Sequence, residues 1–274
     1  MTRKNIHIFK SLAASILLAA FALLAACNNN SEPIEETSFT DLESLEGHAV
    51  AVIAGSTSDL LLGDTNNFTN VQLFRCRSIE QLIAALKDDS VECAITDTVI
   101  FNALNMQSLG LSANFNLPGG FDVAAAFRHD DKKLCNQFND FLVQIKSDGT
   151  LDDMIQRWCN GPLDTASMPI LPELPQLKGH PIEVATLSDN PPFSFYSHNY
   201  LTGFEVEMML RFGIFANRPI HFSGYNFDEI MSTILNGNAD MAAASIFITP
   251  DRSDRLLFSH PYYFCKTSCI SKAK

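Results

Sequence analysis
The chain has 274 residues, 46 % of them apolar, and carries 31 acidic against 19 basic side chains for a formal net charge of −12. That length and apolar content suit one large globular domain or two small ones. An acidic balance with no basic stripe argues against nucleic acid as a partner. In chain order, Arg3, Lys4 and Lys10 precede the apolar run "SLAASILLAAFALLAA", so residues 1–26 have the layout of a signal peptide, too short to span a bilayer comfortably. Small residues lead up to Cys27 and the polar stretch "NNNSEPIEETS" follows it, which makes 27–40 a tether.

Two pairs of segments repeat a pattern. "LEGHAVAVIAGSTSDLL" (45–61) and "LKGHPIEVATLSDNPPF" (177–193) both run L-x-G-H, an alternating apolar strand, then a small polar turn. "SIEQLIAALKDDSVECAITD" (78–97) and "NFDEIMSTILNGNADMAAAS" (226–245) each place an N-cap residue (Ser78, Asn226) before an amphipathic helix, a polar turn and a strand. Strands that alternate with helices predict a mostly parallel sheet in each half. Residues 129–160 read as two helices broken at Gly149. Residues 161–176 hold four of the prolines and read as a linker. The predicted lobes are therefore 41–128 and 177–274.

Of the six cysteines after Cys27, none forms a C-x-x-C pair, so no zinc site is expected. Cys93 reads as a small core residue. Cys135–Cys159 and Cys265–Cys269 are candidate disulfides in an oxidising envelope, which sequence alone does not establish. The chain carries no G-x-S-x-G, H-E-x-x-H or Walker loop and no paired carboxylates in a setting for acid–base work. No catalytic residue, metal or cofactor is therefore assigned.

The stretch "LTGFEVEMMLRFG…NFDEIMSTILNGNADMAAASIFITPDRSDRLLFSHPYY" resembles the bacterial family 3 periplasmic solute-binding proteins, the amino-acid receptors of ABC importers. "VAVIAGST", "ECAITDT" and "LVQIKSDGTLDDMIQRW" are similar to that family's other lobe and closing helices. The resemblance implies an α/β, two-lobed, type II periplasmic-binding-protein-like fold. The pieces stand in reversed order, which implies either a circular permutant or a truncated tandem pair. The start of the chain resembles a bacterial lipoprotein signal, which implies cleavage before Cys27, lipidation of that residue and a protein anchored in the cell envelope, facing the periplasm. The alternative is an ordinary cleavable signal.

The resemblance also implies a site. Arg252 of "ITPDR" would clamp a ligand carboxylate, because a planar guanidinium takes both oxygens at once; otherwise it forms a surface pair with Asp251 or Asp254. Ser245 would offer its hydroxyl and backbone to the same group, or simply end a strand. Ser56 and Thr57 lie at a strand-to-helix junction and either bind the anion or cap the helix. Asp97 either holds the ammonium or is an N-cap. Phe227 is a ring wall or a core residue. Phe247 stands where the family has a hydroxyl, which leaves its backbone N–H. The family's aspartate position is Leu187 and its ring position is Asn190, so the side-chain pocket departs from the pattern. The partners implied are a small ligand, an amino acid foremost, an ABC permease, and the membrane through the anchor. The competing readings are a ligand-sensing lipoprotein without a transporter, and an enzyme on the same fold, dehydratase-like or transglycosylase-associated.

Overall fold
The computed structural model describes residues 38–164 and 166–274. The signal segment, Cys27 and most of the predicted tether lie outside the described residues. Among the described residues there are fifteen strands and eight α-helices. They are β1 (Ala49–Ile53), α1 (Thr57–Leu62), β2 (Gln72–Cys76), α2 (Ile79–Lys87), β3 (Cys93–Asp97), α3 (Thr98–Ala103), β4 (Leu111–Asn116), β5 (Phe121–Val123), β6 (Ala126–Phe127), α4 (Lys132–Ser147), α5 (Thr150–Cys159) and β7 (Ile182–Thr186). Then follow β8 (Asp189–Asn190), β9 (Ser194–Ser197), β10 (Tyr200–Thr202), α6 (Phe204–Ala216), β11 (Ile220–Gly224), α7 (Phe227–Leu235), β12 (Met241–Ala242), α8 (Pro250–Ser253), β13 (Leu257–Phe258), β14 (Tyr263–Cys265) and β15 (Thr267–Lys272).

Two five-stranded sheets form two lobes, ordered β2-β1-β3-β15-β4 and β11-β7-β12-β6-β13. In each, three strands run parallel and one antiparallel strand separates them from a fifth. The antiparallel members, β15 and β6, each enter their sheet directly after the two-stranded ribbon β5–β14, in which Val123 faces Tyr263 and Phe121 faces Cys265. The chain thus passes between lobes twice. Assigning 177–274 to one lobe therefore needs correction. Residues 267–272 leave for the other sheet, where Ser268, Cys269 and Ile270 are fully buried between β3 and β4. The alternation of "TSCISK" marks a strand but does not say which sheet receives it.

Local sequence accounts for the helices. Ser78 Oγ accepts the Gln81 N–H at 3.0 Å and opens α2, whose residues Ile79, Leu82 and Leu86 recur at helical spacing and are buried. The Glu229 carboxylate accepts the Asn226 N–H at 3.0 Å and opens α7, which buries Ile230 and Ile234. Gly149, at φ 81°, turns the chain from α4 into α5. Those two helices pack on α6: Phe138 meets Phe212 edge-on at 4.9 Å, and Arg157 reaches Glu207 with two bonds of 2.9 Å. Trp158 and Arg211 donate to the same carboxylate at 2.7 and 2.9 Å. Glu207 is fully buried, and these donors hold its carboxyl below the usual range.

The proline-rich segment has no regular structure but does more than connect. The Leu163 N–H donates to Ala103 O of the first lobe at 2.9 Å, and Leu163, Met168 and Leu171 pack on the core. All six described cysteines are free thiols, so neither candidate disulfide is present. Cys135 instead donates to Phe258 O, and the Cys265 thiol faces Asp97. Among the described residues no helix is long and apolar enough to cross a membrane, and no cluster of His, Cys, Asp and Glu is placed to hold a metal ion.

Candidate functional site
Parallel strands carry their following turns to one end of the sheet, and in open α/β sheets that end is where ligands bind. Here the C-terminal ends of β1 and β3 face those of β7 and β12 across the gap between lobes. A cavity of about 70 Å³ lies there. All eight residues singled out from sequence line it: Ser56, Thr57, Asp97, Asn190, Phe227, Ser245, Phe247 and Arg252. An outer chamber of about 270 Å³ shares Ile53, Ile79, Leu187, Asn190 and Phe227 with it.

The turn after β1 depends on Gly55. Its φ is 75°, and a Cβ there would sit 3.2 Å from Asp228 Cα of the opposite lobe. The Gly55 N–H donates to Asp59 Oδ2, and Asp59 is held in turn by Arg75 at 2.8 Å. Ser56 caps α1 by accepting the Asp59 N–H at 3.1 Å, so the capping alternative is realised while Ser56 still lines the cavity.

Arg252 is only 4 % exposed. Its Nη1 donates to Phe247 O at 3.1 Å and its Nη2 to Gly55 O at 3.2 Å, which spans both lobes. The guanidinium lies 5.3 Å from the centroid of the Phe227 ring. Among the described residues no carboxylate comes within 4.0 Å of it; Asp251 and Asp254 are exposed and form no ion pair with it. The surface-pair alternative therefore fails. Burial pulls the arginine pKa down to about 10, which leaves it cationic at neutral pH.

Asp97 ends β3 on the opposite lobe. It occupies the N-cap position of α3 without making a side-chain cap bond, so its carboxyl is not spent on the helix. Burial pushes it up to about 7, against the lowering effect of the nearby Cys265 thiol. Beside it, the Thr96 hydroxyl is buried with no partner and belongs to the cavity wall.

Ser245 has φ 46°, in the left-handed region. Glu205, fully buried on α6, accepts its N–H at 2.8 Å and the Tyr262 hydroxyl at 2.5 Å. The Ser245 backbone N–H is therefore not available to a ligand, which corrects the expectation that both its groups serve. Its Oγ accepts the Asn190 side-chain amide at 2.8 Å, so the hydroxyl hydrogen is left to donate elsewhere. Burial pushes Glu205 up to about 7. Phe247 stacks on Phe121 of β5 at 4.9 Å.

Sequence reasoning missed Glu205, Tyr262 and Thr96. The available signal for Glu205 was a carboxylate inside the apolar run "FEVEMM". Thr96 carried none, since a lone threonine in a strand is ordinary. Tyr262 lay in plain view in "PYY" but acquires meaning only once Glu205 is opposite.

Three comparisons bear on this geometry. Residues 182–274 match the family described as bacterial extracellular solute-binding proteins, family 3. A probable histidine-binding protein of Neisseria gonorrhoeae is 31 % identical over 86 residues, 31 % of this chain and 32 % of that one. A probable histidine-binding protein of Campylobacter jejuni subsp. jejuni is 28 % identical over 85 residues, 31 % of this chain and 33 % of that one. The chain thus spans about a third of the length of these curated relatives. Among solved structures, an ancestral arginine-binding protein bound to glutamine is 28 % identical at a TM-score of 0.30, over 30 % of this chain and 37 % of that one.

Proposed function
We propose, on the premise that residues 182–274 belong to the bacterial extracellular solute-binding proteins, family 3, that this chain captures a small ligand bearing a carboxylate and an ammonium group, an amino acid, between its lobes. One observation carries the reading. A buried, cationic Arg252 faces the same cavity as a half-buried Asp97, and among the described residues neither has an ion-pair partner. A buried charge without a counterion is costly. A zwitterion relieves both costs at once, its carboxylate on Arg252 and the Ser245 hydroxyl, its ammonium on Asp97 and the Thr96 hydroxyl. The two carbonyl bonds that now hold Arg252 keep its plane in place for the carboxylate. The matched relatives are named as binding proteins for histidine, and another, of Escherichia coli, for arginine, which favours capture without chemistry.

The same proposal includes delivery to an ABC permease and anchoring through a lipid on Cys27. It also includes a circularly permuted chain, supported by the packing of α4 and α5 on the lobe that contains α6. Calorimetric titration of the full chain against the twenty amino acids tests the capture step. Binding of at least one, lost in Arg252→Ala, is the expected result; no binding by the wild type sinks the reading. Fatty-acid labelling that survives Cys27→Ser would remove the anchor.

A further inference from the structure
We propose that the short arm leaving α5, from Asn160 to Asp164, is a clamp that ties the second lobe to α3 of the first and limits how far the cleft opens. The arm starts on the second lobe, where Arg157 and Trp158 in the last turn of α5 donate to Glu207 of α6. It then reaches the first lobe, where the Leu163 N–H donates to Ala103 O at 2.9 Å. Ala103 is the last residue of α3, and the last carbonyls of a helix find no partner within it. The arm supplies one. The contact is sheltered, since Ala103 is buried and Leu163 packs on the core, and in such a place a lost partner costs more than it would in water. Pro162 fixes the backbone just before the donor. Just after it, Asp164 accepts the Ala166 N–H at 2.9 Å and begins a turn.

The clamp connects to the cleft in two ways. Through the chain, α3 runs from Asp97, which lines the inner cavity, to Ala103, which carries the clamp. Through space, a recess of about 700 Å³ is walled by all three parts: Glu80 and Ala103 of the first lobe, Asp189 and Phe195 of the second, and Pro162 and Leu163 of the arm. That recess shares Ser78, Ser188 and Asp189 with the outer chamber. Where they meet, Asp189 Oδ2 accepts the Glu80 N–H at the start of α2 across the lobes at 3.4 Å. The covalent links between lobes are the two strands of the ribbon β5–β14. A hinge motion bends such links without breaking them. It cannot part α5 from α3 without breaking the bond at Leu163, so opening has to overcome the clamp.

The test is residue-resolved amide hydrogen exchange on the full chain, purified in mild detergent with no ligand added, so its outcome does not depend on what the cleft binds. The reporter is the Glu80 amide, which bonds across the lobes and makes no bond to the arm. Leu163→Pro removes the donor and should speed Glu80 exchange at least tenfold, while the Phe212 amide inside α6 keeps its rate. Leu163→Ala keeps the N–H and should have a smaller effect. A second variant leaves Leu163 intact: four glycines inserted between Asn160 and Gly161 give the arm slack and should speed Glu80 exchange at least threefold. Unchanged Glu80 exchange in Leu163→Pro, with a thermal melt showing the variant folded, overturns the clamp and leaves the arm a plain connection. If Leu163→Pro loses the native melt, the glycine insertion decides by the same readout, and an unchanged rate there overturns the clamp.

Discussion
The two lobes are the same object built twice and finished differently. β1 and β7 occupy equivalent places in their sheets, as do β2 and β11, β3 and β12, β15 and β6, and β4 and β13. The matching L-x-G-H segments enter those sheets at β1 and β7. The difference lies at the strand ends that face the cleft. On the first lobe β3 runs straight into α3 and stops on Asp97. On the second, β12 is two residues long, and the chain continues through Ser245 in a left-handed turn to α8, where Thr249 caps the helix and Arg252 turns inward. One scaffold therefore supplies an acceptor, the other a cation. The chemical asymmetry of the cleft comes from the segments that leave the strands and not from the sheets.

This comparison breaks first at Arg252. Arg252→Ala should cost about 2–5 kcal/mol of ligand affinity, about thirtyfold to several thousandfold, because it strands the bound carboxylate. Arg252→Lys should recover only part, the two-pronged geometry being absent. Calorimetry reads both. Because Arg252 bonds carbonyls of both lobes, Arg252→Ala should also loosen the contact between lobes without ligand, visible as a larger radius in small-angle scattering.

The second lobe differs again in carrying α4 and α5, held through Glu207. Glu207→Ala leaves Arg211 and the Trp158 N–H without their acceptor, and Arg157 with Asp153 alone. Both arginines are about a third exposed, which puts the loss near the low end for a buried ion pair, roughly 3 kcal/mol in denaturant unfolding. The folded-state pKa of Glu207 is depressed, so its contribution is present above the unfolded carboxylate range and fades as pH falls. Glu207→Gln should flatten that acid limb.

Asp97 responds to pH in the opposite sense. In the ligand-free protein its carboxyl stands at about 7, and an ammonium ligand requires it ionised. Affinity should therefore fall roughly tenfold for each pH unit below 7. Asp97→Asn should bind weakly and lose that slope; a slope that persists in the variant would assign it to Glu205, also near 7. Without ligand, both carboxyls bind protons more tightly folded than unfolded. Their contribution to stability is complete below about pH 4 and is lost as pH rises through 7. The smallest effect belongs to a pair remote from the cleft: Lys272→Ala, which removes the exposed contact with Asp89, should change stability by less than about 1 kcal/mol.

Amino-acid order alone determined the alternation of strands and helices, because helical spacing at Ile79, Leu82 and Leu86 and the N-caps at Ser78 and Asn226 are local signals. The eight residues that line the cavity were reached differently, through short motifs at strand ends that resemble a known family. Pairing partners were beyond it. Whether "TSCISK" joins the sheet it follows or the one across the ribbon depends on contacts made more than 150 residues away, between β15 and β4. Commitment was beyond it too. That the Ser245 N–H is taken by Glu205, that Asp97 caps nothing, and that Arg252 has two carbonyls and no carboxylate are facts of distance between residues remote in the chain. Unsatisfied charge is defined by what surrounds a group, so it became visible only when the two lobes met.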